Sequence, residues 1–304
     1  MKMLRAASVG ILIVVTISLA GFAPSSARGA TIQETAEKLY GSLSDEQRKA
    51  ATLPFDSPER TAEVFTGGER AGIQIKKLDA NQQKLAVELL ASFTSEPGKA
   101  KAEAVMQQEK QDPGIGHYYL CFFGEAGAGK TYAWRIAEHH LTLVHLEVEK
   151  GEPKSFGPIL LGADPPVLWA EEEEKMMRLF AALMPPEREK IVRKGRGIST
   201  APLQGEAIRV GELNPSAKEA AKAVLENRLS FFSDSIRQRA EKIIASQGGI
   251  ERMQLAFWGE ATKKSRDGGR WDFKLAGPSF LCDYENTRGH IHLSMKGRLV
   301  EFSP

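Results

Sequence analysis

The chain has 304 residues, with 41 lysines and arginines against 39 aspartates and glutamates, and 42% of its residues are hydrophobic. A charge balance this close to neutral excludes the broad basic face that the phosphates of a nucleic-acid partner require. The apolar content suffices for a sizeable core, and one α+β domain over 31–302 is the expectation.

Lys2 and Arg5 precede an apolar run over 9–20, and Ser25 and Ala27 supply the small residues of a cleavage site after Ala27. The run is shorter than the roughly 20 residues that span a bilayer. A signal peptide over 1–27 and a periplasmic or secreted mature chain are therefore expected, with an uncleaved N-terminal anchor as the alternative. Loss of Lys2 and Arg5 leaves the mature chain close to neutral.

Helical spacing follows over 31–40, 81–93 and 99–110, and Ser44 with Gln47 has the pattern of a capping box. The character then changes to β-formers over 117–123, 132–137, 141–148 and 156–161. Helical patterns return over 168–184, 187–194, 216–232 and 233–246, with a Gly/Pro/Ser-rich loop over 195–215. Strand patterns resume over 253–258, 271–276, 280–285 and 290–295. Short turns between successive strands favour hairpins, so the expected architecture is an antiparallel sheet from two blocks, about 117–162 and 253–295, with helices before and between them.

Residues 124–131 read GEAGAGKT, a full match to the phosphate-binding P-loop pattern. That loop works only if a helix starts at once and aims its positive end at the anion. Here the next residues, Tyr132, Trp134 and Ile136, read as a strand. A Gly-rich hairpin loop with a surface lysine is the expectation, and a nucleotide-binding protein the lesser alternative.

Several motifs in order carry a resemblance: Gly124-Glu125, Trp134-Arg135, His139-His140-Leu141, Gly162-Ala163-Asp164-Pro165, Gly277-Pro278, Asn286-Thr287 and His290-Ile291-His292. Together with SLSDEQRKAATLPFDSPER over 42–60, they make the chain resemble the exported bacterial family named domain of unknown function 3500. The resemblance runs over about 31–302 and implies a fold but no established activity. The chain departs from the family pattern at the GEAGAGKT loop, at Glu138, where the family has glycine, and at Ser294-Met295-Lys296.

Four of the six histidines form two groups, His139-His140 and His290-Ile291-His292. Residues two apart on a strand share a face, so His290 and His292 can address one point, as metal ligation requires. Adjacent His139 and His140 are expected to face opposite ways, with only one joining unless a bulge intervenes. Zinc, iron or copper suits such donors, and Glu125, Arg135 and Asp283 are the candidate catalytic groups, for orienting a ligand or moving a proton. Structural histidines and an Arg135 ion pair are the competing reading. Two function classes stay open: a metal-dependent enzyme, and a non-catalytic module that binds a small polar molecule. Cys121 and Cys282 both lie in strand patterns, and two buried thiols are favoured over a disulfide.

Overall fold

The computed structural model describes residues 30–108, 113–197, 203 and 207–299. The expected export segment over 1–27 lies outside the described residues. The first half of the chain forms α1 (Ile32–Ser42), α2 (Asp45–Ala51), β1 (Thr52–Leu53), β2 (Ile73–Gln74), α3 (Ala80–Phe93), α4 (Glu96–Gln107), β3 (Tyr119–Phe123), β4 (Tyr132–Ala137), β5 (Leu141–Glu147) and β6 (Ser155–Ala163). The second half forms α5 (Ala170–Ala182), α6 (Pro185–Ile191), β7 (Val192–Arg193), β8 (Ile208–Arg209), α7 (Pro215–Leu229), α8 (Asp234–Ser246), β9 (Gln254–Trp258), β10 (Asp272–Ala276), β11 (Phe280–Thr287) and β12 (His290–Arg298).

Local chemistry sets the helix starts. Thr31, Ser44 and Asp79 each accept a hydrogen bond from the third helical amide, while Glu34, Gln47 and Gln82 reach back to the capping residue's own N–H. Ser95 caps α4 by accepting from the Gly98 N–H, and proline fits the first turn, so this helix starts at Glu96 rather than at 99.

The strands form one α+β sheet in the order β1-β3-β4-β5-β6-β12-β11-β10-β9-β7, with β2 also on β3 and β8 on β9. Both four-stranded blocks are antiparallel, as expected. The sheet as a whole is mixed, because β1 runs parallel to β3 and β7 parallel to β9. Two-residue strands are too short to show a period, which is why the sequence pattern does not announce them.

The order of ten elements in the first half repeats in the second, and so does the register. Phe122 pairs with Thr52, and Leu120 with Ile73; 135 residues later Phe257 pairs with Val192, and Leu255 with Ile208. Gly124 and Gly259 leave the corresponding strands with φ of 79° and 83°, a left-handed conformation in which glycine is at home. The halves join where β6 pairs antiparallel with β12, on an approximate two-fold axis.

All the long helices contribute to the main core on one face of the sheet, which buries Leu120, Phe122, Trp134, Ile159, Leu161, Phe257, Phe273, Ile291, Leu293 and Met295. Strand alternation sends the intervening residues to the other face, where a smaller cluster of Cys121, Phe123 and Ala133 packs with Leu53 and Phe55. Cys121 and Cys282 are both buried and free. Cys282 belongs to the helix side and sits five strands from Cys121, roughly 24 Å at the usual strand spacing, so they cannot pair.

Residues 124–131 form the β3–β4 hairpin loop. The Lys130 N–H donates to the Gly127 carbonyl at 3.0 Å, and β4 begins at Tyr132, so a strand and not a helix follows the loop. Among the described residues no helix is long and apolar enough to cross a membrane.

Candidate metal centre

His290 and His292 open β12 and project from the face opposite the helices, on either side of buried Ile291. His139 and His140 lie between the end of β4 and the start of β5, in the turn and not in a strand. That placement overturns the expectation that the adjacent pair must diverge. In the turn the two rings stack, with centroids 3.9 Å apart and planes at 20°, and both reach the pair on β12.

The Nε2 atoms form a chain of close approaches: His140 to His290 at 3.0 Å, His290 to His292 at 3.2 Å, and His292 to His139 at 3.4 Å. One ligand atom from each of the four rings lies within 4.8 Å of all the others. With metal–nitrogen bonds of roughly 2.0–2.1 Å, tetrahedral neighbours stand about 3.3–3.4 Å apart, a spacing that the three close approaches come near and that the widest separation, up to 4.8 Å, exceeds. His140 and His292 are buried, while His139 and His290 are partly exposed, which gives the centre one side open to solvent.

Three of the four rings, His139, His140 and His292, are held toward the neutral form. Burial, followed by the repulsion of His139, His290 and His292, pushes His140 down to about 3, and burial with His290 and His139 does the same to His292. His139 is lowered by burial and by His290, with Glu138 pulling the other way. Neutral rings present lone pairs, which is the form that binds a cation.

A second layer orients these rings. The Phe65 backbone hydrogen-bonds the His139 ring. Phe65 also packs edge-on against His292, at 5.2 Å between centroids. Buried Glu138 accepts from the Gly68 N–H at 3.0 Å and from the His139 N–H, tying residues 65–68 to the histidine turn. Gly162 leaves room for the rings: a Cβ there would stand 2.8 Å from His140 Cδ2 and 3.1 Å from His292 Cδ2. Neither Phe65 nor Glu138 is marked by spacing in the sequence. The one trace is that Glu138 departs from the family's glycine.

Of the expected catalytic groups, Glu125 and Arg135 lie away from the four rings, and Asp283 lies on their face of the sheet. Glu125 is in the exposed β3–β4 loop, paired with Lys130 at 2.7 Å, and the six residues of β4 put it roughly 20 Å from the histidine turn. Arg135 is 2% exposed and pinned to Glu59, through the backbone carbonyl and the carboxylate at 3.2 Å, and to the Ala71 carbonyl. It anchors the segment over 59–71 that crosses the histidine face. Asp283 shares that face. It pairs across strands with Ser294, two residues along from the Glu285 and His292 pair, and accepts from the Ser294 N–H at 2.9 Å and hydroxyl at 2.7 Å. Burial raises its pKa to about 6 despite the Ser294 bonds. Glu285, the cross-strand neighbour of His292, is held by Arg196 at 3.5 Å.

No curated protein and no solved structure matches the chain. The model of the family described as protein of unknown function (DUF3500) matches residues 25–297, and that match spans the sheet, both histidine pairs and Gly162, so the chain belongs to this family.

Proposed function

We propose that this chain is a metalloprotein in which His139, His140, His290 and His292 bind one divalent transition-metal ion whose open side takes a small polar molecule. The observation that carries this reading is the convergence of four imidazoles from two distant parts of the chain, with three nitrogen approaches of 3.0–3.4 Å and all four ligand atoms within 4.8 Å of one another. Four nitrogen donors favour zinc, copper or iron over magnesium or calcium, which take oxygen. In this reading the chain acts after export, and Asp283, on the same face two residues from Glu285, is the group that takes up or releases a proton. A carboxyl group that titrates near 6 is suited to that work.

The test is metal analysis of the full chain purified without chelators, beside a His290→Ala/His292→Ala variant. The expected result is about one equivalent of metal in the parent and none in the variant. A parent chain that emerges metal-free and takes up no added zinc, copper or iron overturns the proposal. Azide added to copper-loaded protein then reports on the open side: a shifted visible spectrum supports a position for substrate, and an unmoved one restricts the ion to a structural role.

A further inference from the structure

The approximate two-fold axis gives the histidine centre a counterpart in the other half. In the centre, the Gly162 N–H donates to the His140 carbonyl at 2.8 Å; in its mate, the Arg298 N–H donates to the Ser279 carbonyl at 2.8 Å. Gly277, Pro278 and Ser279 thus stand where Glu138, His139 and His140 stand, each trio joining equivalent strands. Bulky rings are missing from this second turn, and an arginine replaces the glycine. A cavity of 470 Å³ occupies the place, lined by Arg60, Arg298, Lys296, Pro158, Pro278 and Leu281 among others.

The charge of this cavity is one-sided. Lys296 is neutralised by Glu63 at 2.6 Å. Arg60 is held in place by its Nε–H bond to the Phe55 carbonyl at 2.8 Å and by stacking over the Phe55 ring at 4.5 Å, yet neither Arg60 nor Arg298 has a carboxylate partner among the described residues. Burial and the nearby charge of Arg298 lower the Arg60 pKa. Two like charges at a cavity that is mostly apolar, with Thr61, Ser155 and Ser279 also in its wall, repel each other, and a bound anion relieves that repulsion. Guanidinium groups match the two oxygens of a carboxylate or phosphate. The prolines and Leu281 offer that ligand no hydrogen bonds, only an apolar surface.

We propose that this cavity is a second ligand site, for a small amphiphilic anion whose carboxylate or phosphate headgroup is gripped by Arg60 and Arg298 and whose apolar body lies against Pro158, Pro278 and Leu281. It rests on a different observation from the metal centre and does not require a bound metal.

Calorimetric titration of the full chain with octanoate, octyl phosphate, inorganic phosphate and octanol tests it. Octanoate or octyl phosphate is expected to bind, and to show which headgroup is preferred. Arg298→Ala should weaken binding about 10- to 100-fold, with Arg298→Lys between it and the parent. The His290→Ala/His292→Ala variant should bind as the parent does. Arg298 is exposed at a strand end, so its variants are expected to fold. The proposal is overturned if neither amphiphile binds, if Arg298→Ala binds as tightly as the parent, or if octanol or inorganic phosphate binds as tightly as the amphiphiles.

Discussion

At Gly162 the metal centre depends on an atom that is not there. The residue carries a β6 rung opposite His292, and its carbonyl accepts from the Trp169 indole at 2.8 Å, so its backbone is fixed from both sides. A methyl group at this point would stand 2.7 Å from the Ile291 carbonyl oxygen as well as pressing on two imidazoles. The two imidazoles are side-chain ends that can turn, whereas the Ile291 carbonyl is fixed backbone, so the rings are the part that yields most. Gly162→Ala is therefore expected to displace His140 and His292, cutting metal occupancy sharply while the protein stays folded. Metal analysis and circular dichroism on the same sample check this; full occupancy in a folded variant removes Gly162 from the site. The four histidines were legible in the sequence as ligand types, and the glycine only as part of a family motif. A sequence states which donors exist, but which residue makes room for them depends on a neighbouring strand more than a hundred positions away.

At the scale of elements, the duplicated halves solve one capping problem with different charges. In the first half Gln47, third in α2, accepts from the Ser44 N–H at 2.9 Å and hydrogen-bonds to Gln82 at the start of α3. In the second, Glu187 of α6 accepts from the Met184 N–H at 2.7 Å, the Asn214 N–H at 2.6 Å and the Asn214 amide at 2.7 Å, and so locks α6 to the start of α7. Burial on its own would raise the Glu187 pKa, but the bonds from Met184 and Asn214 outweigh it and hold the group below the usual carboxylate range. Hydrogen bonds to a charged acceptor are stronger than neutral ones, and here three donors lose their partner together. Glu187→Ala should therefore destabilise the protein by on the order of 2–4 kcal/mol, against about 1 kcal/mol for Gln47→Ala. Urea unfolding midpoints of the two variants decide it, and equal losses contradict the account. Signals of this local kind made most helices and long strands legible, since caps and periodicity act within a few residues. What stayed hidden were β1, β2, β7 and β8, which exist only through their partners.

For the molecule as a whole, the duplication was within reach of the sequence but not of a reading that sought periods of two and 3.6. IGHYYLCFFGE over 115–125 and IERMQLAFWGE over 250–260 are the same strand and the same left-handed exit, with the outward-facing residues free to differ. That freedom let the two equivalent turns diverge, one into stacked histidines and the other into Gly-Pro-Ser. Buried imidazoles lie in both halves. Besides His140 and His292, His145 is held near 4, because burial outweighs its 2.5 Å contact with Glu147. In the unfolded chain these three rings take up protons below about 6.5. Between that pH and the native values of about 3 to 4 the unfolded state binds more protons, so their contribution to stability is full above 6.5 and is lost on acidification. Asp283 works in the opposite sense. Its native pKa of about 6 exceeds the unfolded value, so the folded state holds one extra proton below 6, and that stabilisation fades as pH rises. Three protons gained by the unfolded state against one kept by the native state leave a net of about two near pH 5, a slope on the order of 2–3 kcal/mol per pH unit. Stability of the metal-free protein should therefore fall steeply from pH 6.5 to 4. A metal ion on His140 and His292 blocks their protonation in the native state and adds its own binding energy, so the loaded protein should be more stable at pH 6.5 and lose its advantage as protons displace the ion. Urea titrations of both forms at half-unit pH steps measure the two curves. Coincident curves would show that the ion gains nothing from the folded site, and a metal-free form whose stability is flat from pH 6.5 to 4 would show that these imidazoles are not held neutral by burial.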